Sequence, residues 1–142
     1  MARIDFYILE QPGLRSRQHF ACRLAEKAYR LDNTVHIHAG NQSDAQRLDD
    51  LLWTFRDGSF VPHHMIATSG ADVQSPVSIG CEDDLTEPRD LLINLGDDIP
   101  SFAETFPRVA ELVTSDEECK QLSRKRFAEY RDQGHTLETH NV

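Results

Sequence analysis

Between Lys120 and Arg131 the chain reads KQLSRKRFAEYR, five basic residues against one acid. The formal net charge of the whole is −9, which leaves about −13 for everything else. A cationic island on an acidic body suits a local anionic ligand. It does not suit a long polyanion, because the remaining surface would repel the backbone. On a helix, Lys120, Arg124, Phe127 and Arg131 fall at i, i+4, i+7 and i+11 and make one stripe of charge around an aromatic. The plainer reading is a solvated helix face; the single sign of the stripe and its neighbours Phe127 and Tyr130 argue for the ligand.

A second constellation is apolar. Trp53, Phe55, Phe60, Val61, Pro62, Met65 and Ile66 lie within fourteen residues, across a helix end and a loop. They fold into the core or form a partner surface, since Trp, Phe and Met are enriched at interface centres.

Catalytic and cofactor chemistry finds little support. The first strand–helix turn, Leu9 to Ser16, holds only Gly13, so the glycine spacing of a dinucleotide or phosphate loop is missing. His36 and His38, and the adjacent His63 and His64, do not match zinc-ligand spacing. They read as surface or half-buried imidazoles, with His63 shaping its loop. Cys22, Cys81 and Cys119 are scattered and read as reduced packing residues. We expect no cofactor and no metal.

The elements that must position these residues alternate between strand and helix. Ile4–Leu9 is a buried strand, broken by Gln11-Pro12-Gly13. A helix over Ser16–Leu31 places Phe20, Leu24, Ala28 and Leu31 on one face, with Ala21 and Ala25 beside them. Thr34–Ala39 is a strand in which Val35 and Ile37 alternate with His36 and His38. Ser43 with Gln46 is a capping box for a helix that buries Leu48, Leu51, Leu52 and Phe55. Residues 56–75 are rich in loop. Val77–Cys81, Leu91–Leu95 and Arg108–Val113 are strands, with a mostly acidic connection from Glu82 to Asp90. Ser101 with Glu104 caps a short helix, and Ser115 with Glu118 caps the basic one. Residues 132–142 are polar and expected to fray. The pattern predicts one α/β domain over residues 1–142: a Rossmann-like, mostly parallel sheet with helices on both faces, no nucleotide-binding loop, and room for a hairpin in the 77–95 region. The N-terminus lacks the apolar region of a signal peptide and no run approaches a membrane span, so a cytoplasmic protein is expected.

The order Leu52-Trp53, Ser59-Phe60-Val61-Pro62-His63, Arg89-Asp90-Leu91-Leu92-Ile93-Asn94-Leu95 and Lys120 to Arg131, after an opening Asp5-Phe6-Tyr7-Ile8-Leu9, resembles the chi subunit of bacterial DNA polymerase III holoenzyme. The resemblance runs from about residue 3 to 139. It implies a noncatalytic adaptor that binds the acidic C-terminal tail of single-stranded DNA-binding protein and pairs with the psi subunit, which ties it to the clamp loader. Carried over residue by residue, it assigns the tail site to Lys120 and Arg124, with Phe127, Tyr130 and Arg131 as neighbours. It assigns the psi surface to Trp53 and Phe60, a surface that an XPD-like helicase shares in some bacteria. Ala128 stands where some relatives have another base, and Phe127 where relatives have tyrosine. No membrane contact and no direct nucleic-acid binding is expected. Two other readings remain: a small nucleotide- or metal-dependent hydrolase using the histidines, and direct nucleic-acid binding by the basic helix.

Overall fold

Among the described residues, seven strands form one sheet in the order β3-β4-β2-β5-β6-β1-β7, and every pairing between them is parallel. The computed structural model describes residues 2–58, 60–65, 75–81 and 89–142. The elements are β1 (Arg3–Ile8), α1 (Leu14–Arg30), β2 (Val35–His38), α2 (Gln42–Thr54), β3 (His63–Met65), β4 (Val77–Gly80), β5 (Leu91–Asn94), a 3-10 turn (Ala103–Thr105), β6 (Arg108–Val113), α3 (Glu117–Asp132) and β7 (Thr136–Asn141).

Alternation along the central strands builds two cores. Leu91 and Ile93 of β5, with Ala110 and Leu112 of β6, face α1 and α2. Leu92 of β5, with Val109 and Val113 of β6, faces α3 and the 3-10 turn. The sheet is therefore covered on both faces, as a parallel sheet requires. Val77–Gly80 and Leu91–Asn94 do not form a hairpin. They flank β2 on opposite sides, both parallel to it.

Burial departs from the expected pattern where position in the sheet outranks polarity. All four residues of β2 are buried because it is a central strand. His36 and His38 are thus core residues, with rings 5.8 and 5.5 Å from Phe102. His36 Nδ1 lies 2.8 Å from Ser78 Oγ, and burial pushes its imidazole down to about 3, so it is neutral. On α1 the buried face centres on Ala21, Cys22, Ala25 and Ala28, with Phe20 and Leu24 at its margin. Leu31, expected inside, is 64% exposed at the helix C-cap.

The caps sit one or two residues from the expected serines. Asn41, extended at φ −160°, caps α2 by accepting from Asp44 N at 2.8 Å. Asp116 caps α3 by accepting from Cys119 N at 3.2 Å, and its other oxygen accepts from Gly13 N at 3.1 Å and Thr114 Oγ1 at 2.5 Å. Asn and Asp serve this position as well as Ser does. The turn after Ser101 is 3-10, without a side-chain cap.

The largest correction is at the C-terminus. Residues expected to fray form β7, paired with β1 from Arg3↔Thr136 to Ile8↔Asn141. Gly134 at φ 87° turns the chain out of α3, and Gly134 N and His135 N close onto Arg131 O and Tyr130 O. The strand reads as polar because it is an edge: Leu137 is its one apolar residue, and most of its side chains meet solvent.

The Thr114 hydroxyl, the Gly13 N–H and the Cys119 N–H together hold the Asp116 carboxyl down at about 2. Its folded value lies below that of a free aspartate, about 3.9. Its contribution is therefore complete above about pH 4 and lost as pH falls toward 2. Asp116→Ala should cost about 1 kcal/mol in urea melts at neutral pH. The gap to wild type should narrow as pH drops below 4; a gap that widened there would contradict the cap.

Candidate functional site: a cation-rimmed apolar pocket under α3

The crossover from β6 to β7 passes over β1, because β1 lies between them. α3 is that crossover, so its inner face lies on β1: Phe127 and Tyr130 sit 5.2 and 6.2 Å from the Phe6 ring. Toward the C-terminal ends of the strands, helix and sheet form an open pocket of about 350 Å³. Phe6, Ile8, Val113 and Phe127 give it an apolar lining, and Lys120, Arg124 and Arg131 stand around it with Ser123, Ala128 and Thr139.

The stripe inferred from helical spacing is thus real as a set: Lys120, Arg124, Phe127 and Arg131 line one cavity. Arg124 and Arg131 are only loosely engaged within the chain. Arg124 Nη1 is 3.9 Å from Glu117, and Arg131 Nε is 3.7 Å from Asp132, all four side chains being exposed. Such pairs contribute little and yield to a better-placed anion.

Two residues of the basic segment have other work. Tyr130 is 1% exposed, so it is not a contact residue of this pocket. Its hydroxyl donates to Glu111 at 2.7 Å. Arg126 is also buried, with Nε donating to Glu111 at 3.0 Å, one terminal nitrogen to Asp97 O at 2.6 Å and the other to Ser123 Oγ at 3.1 Å. Asn94 completes the set, donating to Glu111 at 2.9 Å. Burial pushes the Glu111 carboxyl up, and Arg126, Asn94 and Tyr130 pull against that rise. Burial and the adjacent Glu111 push the Tyr130 phenol up, so it remains a donor. Helical spacing leaves Arg126 out of the stripe of Lys120, Arg124, Phe127 and Arg131, but its burial shows only in the packing of the helix on the sheet. Phe6, Ile8, Val113 and Thr139 were missed as pocket residues because they come from strands far apart in the sequence.

The aromatic cluster divides in the same way. Val61 is fully buried, but Trp53 and Phe60 are 54% and 64% exposed, so the core reading fails for these two. Their rings are 5.7 Å apart, and Trp53 packs 4.6 Å from His63. His63 does shape this loop: its ring nitrogens lie 2.6 Å from Val61 O and 3.0 Å from Asp49 O. This patch stands by α2 and β3, at the sheet edge opposite to β7.

Among the described residues, no three His, Cys, Asp or Glu side chains converge as a metal ion would require. No helix among them is long and apolar enough to cross a membrane.

Residues 1–138 match the family described as DNA polymerase III chi subunit, HolC. The chain belongs to that family. The chi subunit of Pseudomonas aeruginosa is 39% identical over 142 residues, covering 100% of this chain and 98% of that one. The chi subunit of Escherichia coli K12 is 33% identical over 144 residues, covering 98% and 97%. These relatives are named as the chi subunit of DNA polymerase III, and the chi family member described here is a replication accessory subunit rather than a catalytic one. A chain of T4 UvsW shares the fold, with a TM-score of 0.71 at 10% identity, over 99% of this chain and 41% of that one.

The two arginines of α3 should separate cleanly in a melting experiment. Arg126→Ala leaves Glu111 buried without its counter-charge and should cost about 3–5 kcal/mol. Arg124→Ala, exposed, should stay within about 0.5 kcal/mol of wild type. Equal effects would contradict the assignment of Arg126 to the core.

Proposed function

We propose that the pocket under α3 receives the acidic C-terminal tail of single-stranded DNA-binding protein, and that the chain thereby links that protein to the polymerase assembly. One observation carries the reading: an apolar cavity rimmed by Lys120, Arg124 and Arg131 on a chain of net charge −9. The cavity fits a terminal phenylalanine side chain, and the cations suit its carboxylate and the aspartates before it. Exposed charge pairs net about 0–1 kcal/mol each, so the buried phenyl supplies much of the grip. Phe127 acts as a wall of the pocket, and Tyr130 acts from beneath by fixing α3. Neither the hydrolase reading nor direct DNA binding by α3 gains support, because His36 and His38 are core residues and Arg126 is buried.

The second half of the proposal gives Trp53 and Phe60 to the psi subunit, and through it to the clamp loader. An XPD-like helicase is the alternative occupant of the same patch. Two large exposed aromatics in mutual contact are the observation behind this, and an interface centre is where such residues are concentrated.

Two predictions test the halves separately. In fluorescence polarisation with an Asp-Asp-Asp-Ile-Pro-Phe peptide, Arg124→Ala should weaken binding roughly tenfold through loss of a charge-assisted contact. Wild-type affinity should fall with salt without vanishing, as screening removes the ionic part and leaves the apolar part. Binding insensitive to both would refute the pocket. Phe60→Ala should leave the melting curve and peptide affinity unchanged while costing about 2 kcal/mol or more in psi capture. Joint loss of stability and both bindings would sink the two-surface arrangement.

A further inference from the structure

A second cationic row lies on the opposite face of the molecule. Arg15, His19, Arg23 and Lys27 are all exposed, at four-residue intervals along α1. They therefore share one helix face, with successive residues about 6 Å apart along the axis. The helix carries one acid, Glu26, which is buried and paired with Arg56 at 2.7 Å and Arg30 at 3.7 Å. Beside the row runs an open groove of about 1000 Å³, walled by Tyr7, Phe20, Arg23 and Lys27. The Tyr7 and Phe20 rings are half-buried and 5.5 Å apart. The Arg23 guanidinium lies 6.0 Å over Phe20.

We propose that this face of α1 is a track for the phosphate backbone of single-stranded DNA. A row of cations along a groove with aromatic rings is the arrangement that holds a single strand without reading its sequence. Charge complementarity is local: the −9 of the whole chain opposes adhesion over the general surface, and the α1 face is where that opposition is reversed. The contrast with the α3 pocket favours a polymer over a peptide terminus. The groove is about three times as large. Glu10 and Glu26 both line the groove; Glu26 is paired with Arg30 and Arg56, so Glu10 is the acid a strand would have to avoid, which centres the track on Arg23 and Lys27. This proposal is independent of the tail pocket.

The test measures binding of a labelled oligothymidylate to the intact chain, by polarisation, from low to physiological salt. Three fixed cations, Arg15, Arg23 and Lys27, predict a slope of log affinity against log salt of about −2. The double variant Arg23→Ala/Lys27→Ala should lower affinity roughly tenfold at low salt and bring the slope to about −0.7. Its melting curve and its affinity for the acidic peptide should match wild type. Absence of DNA binding at low salt, or binding untouched by the double variant, would overturn the proposal. So would loss of DNA binding in Arg124→Ala alone, which would place the strand on α3. Displacement of the DNA by oligoglutamate at equal charge concentration would assign the face to acidic polypeptides instead.

Discussion

The buried pair of Arg126 and Glu111 is the constraint on which the rest of the α3 face depends. Glu111 sits on β6 with no exposed surface and spends both carboxylate oxygens on partners from α3 and β5. A buried charge without its partner is costly, whereas a matched and fully hydrogen-bonded one fixes geometry. The pair sets the rotation of α3 about its own axis. With Arg126 and Tyr130 turned inward, Lys120, Arg124, Phe127 and Arg131 must lie along the cavity. The outer stripe is therefore a consequence of the inner one. Arg126 also reaches Asp97 O, and Asn94 reaches Asp98 O, so the same network ties down the chain leaving β5.

The sheet separates the two aromatic and cationic surfaces. The patch of Trp53 and Phe60 belongs to α2 and the β3 edge, and the pocket belongs to α3 and the β7 end. Five strands lie between these edges. The two surfaces therefore draw on opposite edges of the sheet. A second carboxylate supports the far edge. Burial alone would raise Asp5, but hydrogen bonds from His140, Arg108 and Arg3 outweigh it and hold its carboxyl below the usual range. Asp5 thereby joins β7, β6 and β1 from the face opposite α3.

How far the sequence could be read depended on which force fixed each residue. Strands with apolar runs, such as Leu91–Asn94 and Arg108–Val113, were legible because burial on both faces demands that composition. The helical stripe was legible because spacing alone places residues on a face. Tyr130, His36 and His38 were misread because their burial depends on partners far away in sequence: Glu111 for the first, the Phe102 ring for the others. β7 escaped because an edge strand needs few apolar residues. The caps moved from Ser43 and Ser115 to Asn41 and Asp116 because several adjacent residues could each cap, and tertiary contact chose among them. Asp116 won by also holding Gly13.

The pairing of β1 with both β6 and β7 also fixes when the pocket comes into being. The pocket draws Phe6 and Ile8 from the start of the chain, Val113 from β6, and Thr139 from β7. Its floor thus joins segments far apart in the sequence, Phe6 lying opposite Thr139. The contacts around Trp53 and Phe60, by contrast, lie within a short span: Trp53 with Phe60 and His63, and His63 with Asp49 and Val61. A growing chain therefore has the parts of its aromatic patch in hand while the other cavity still lacks a wall.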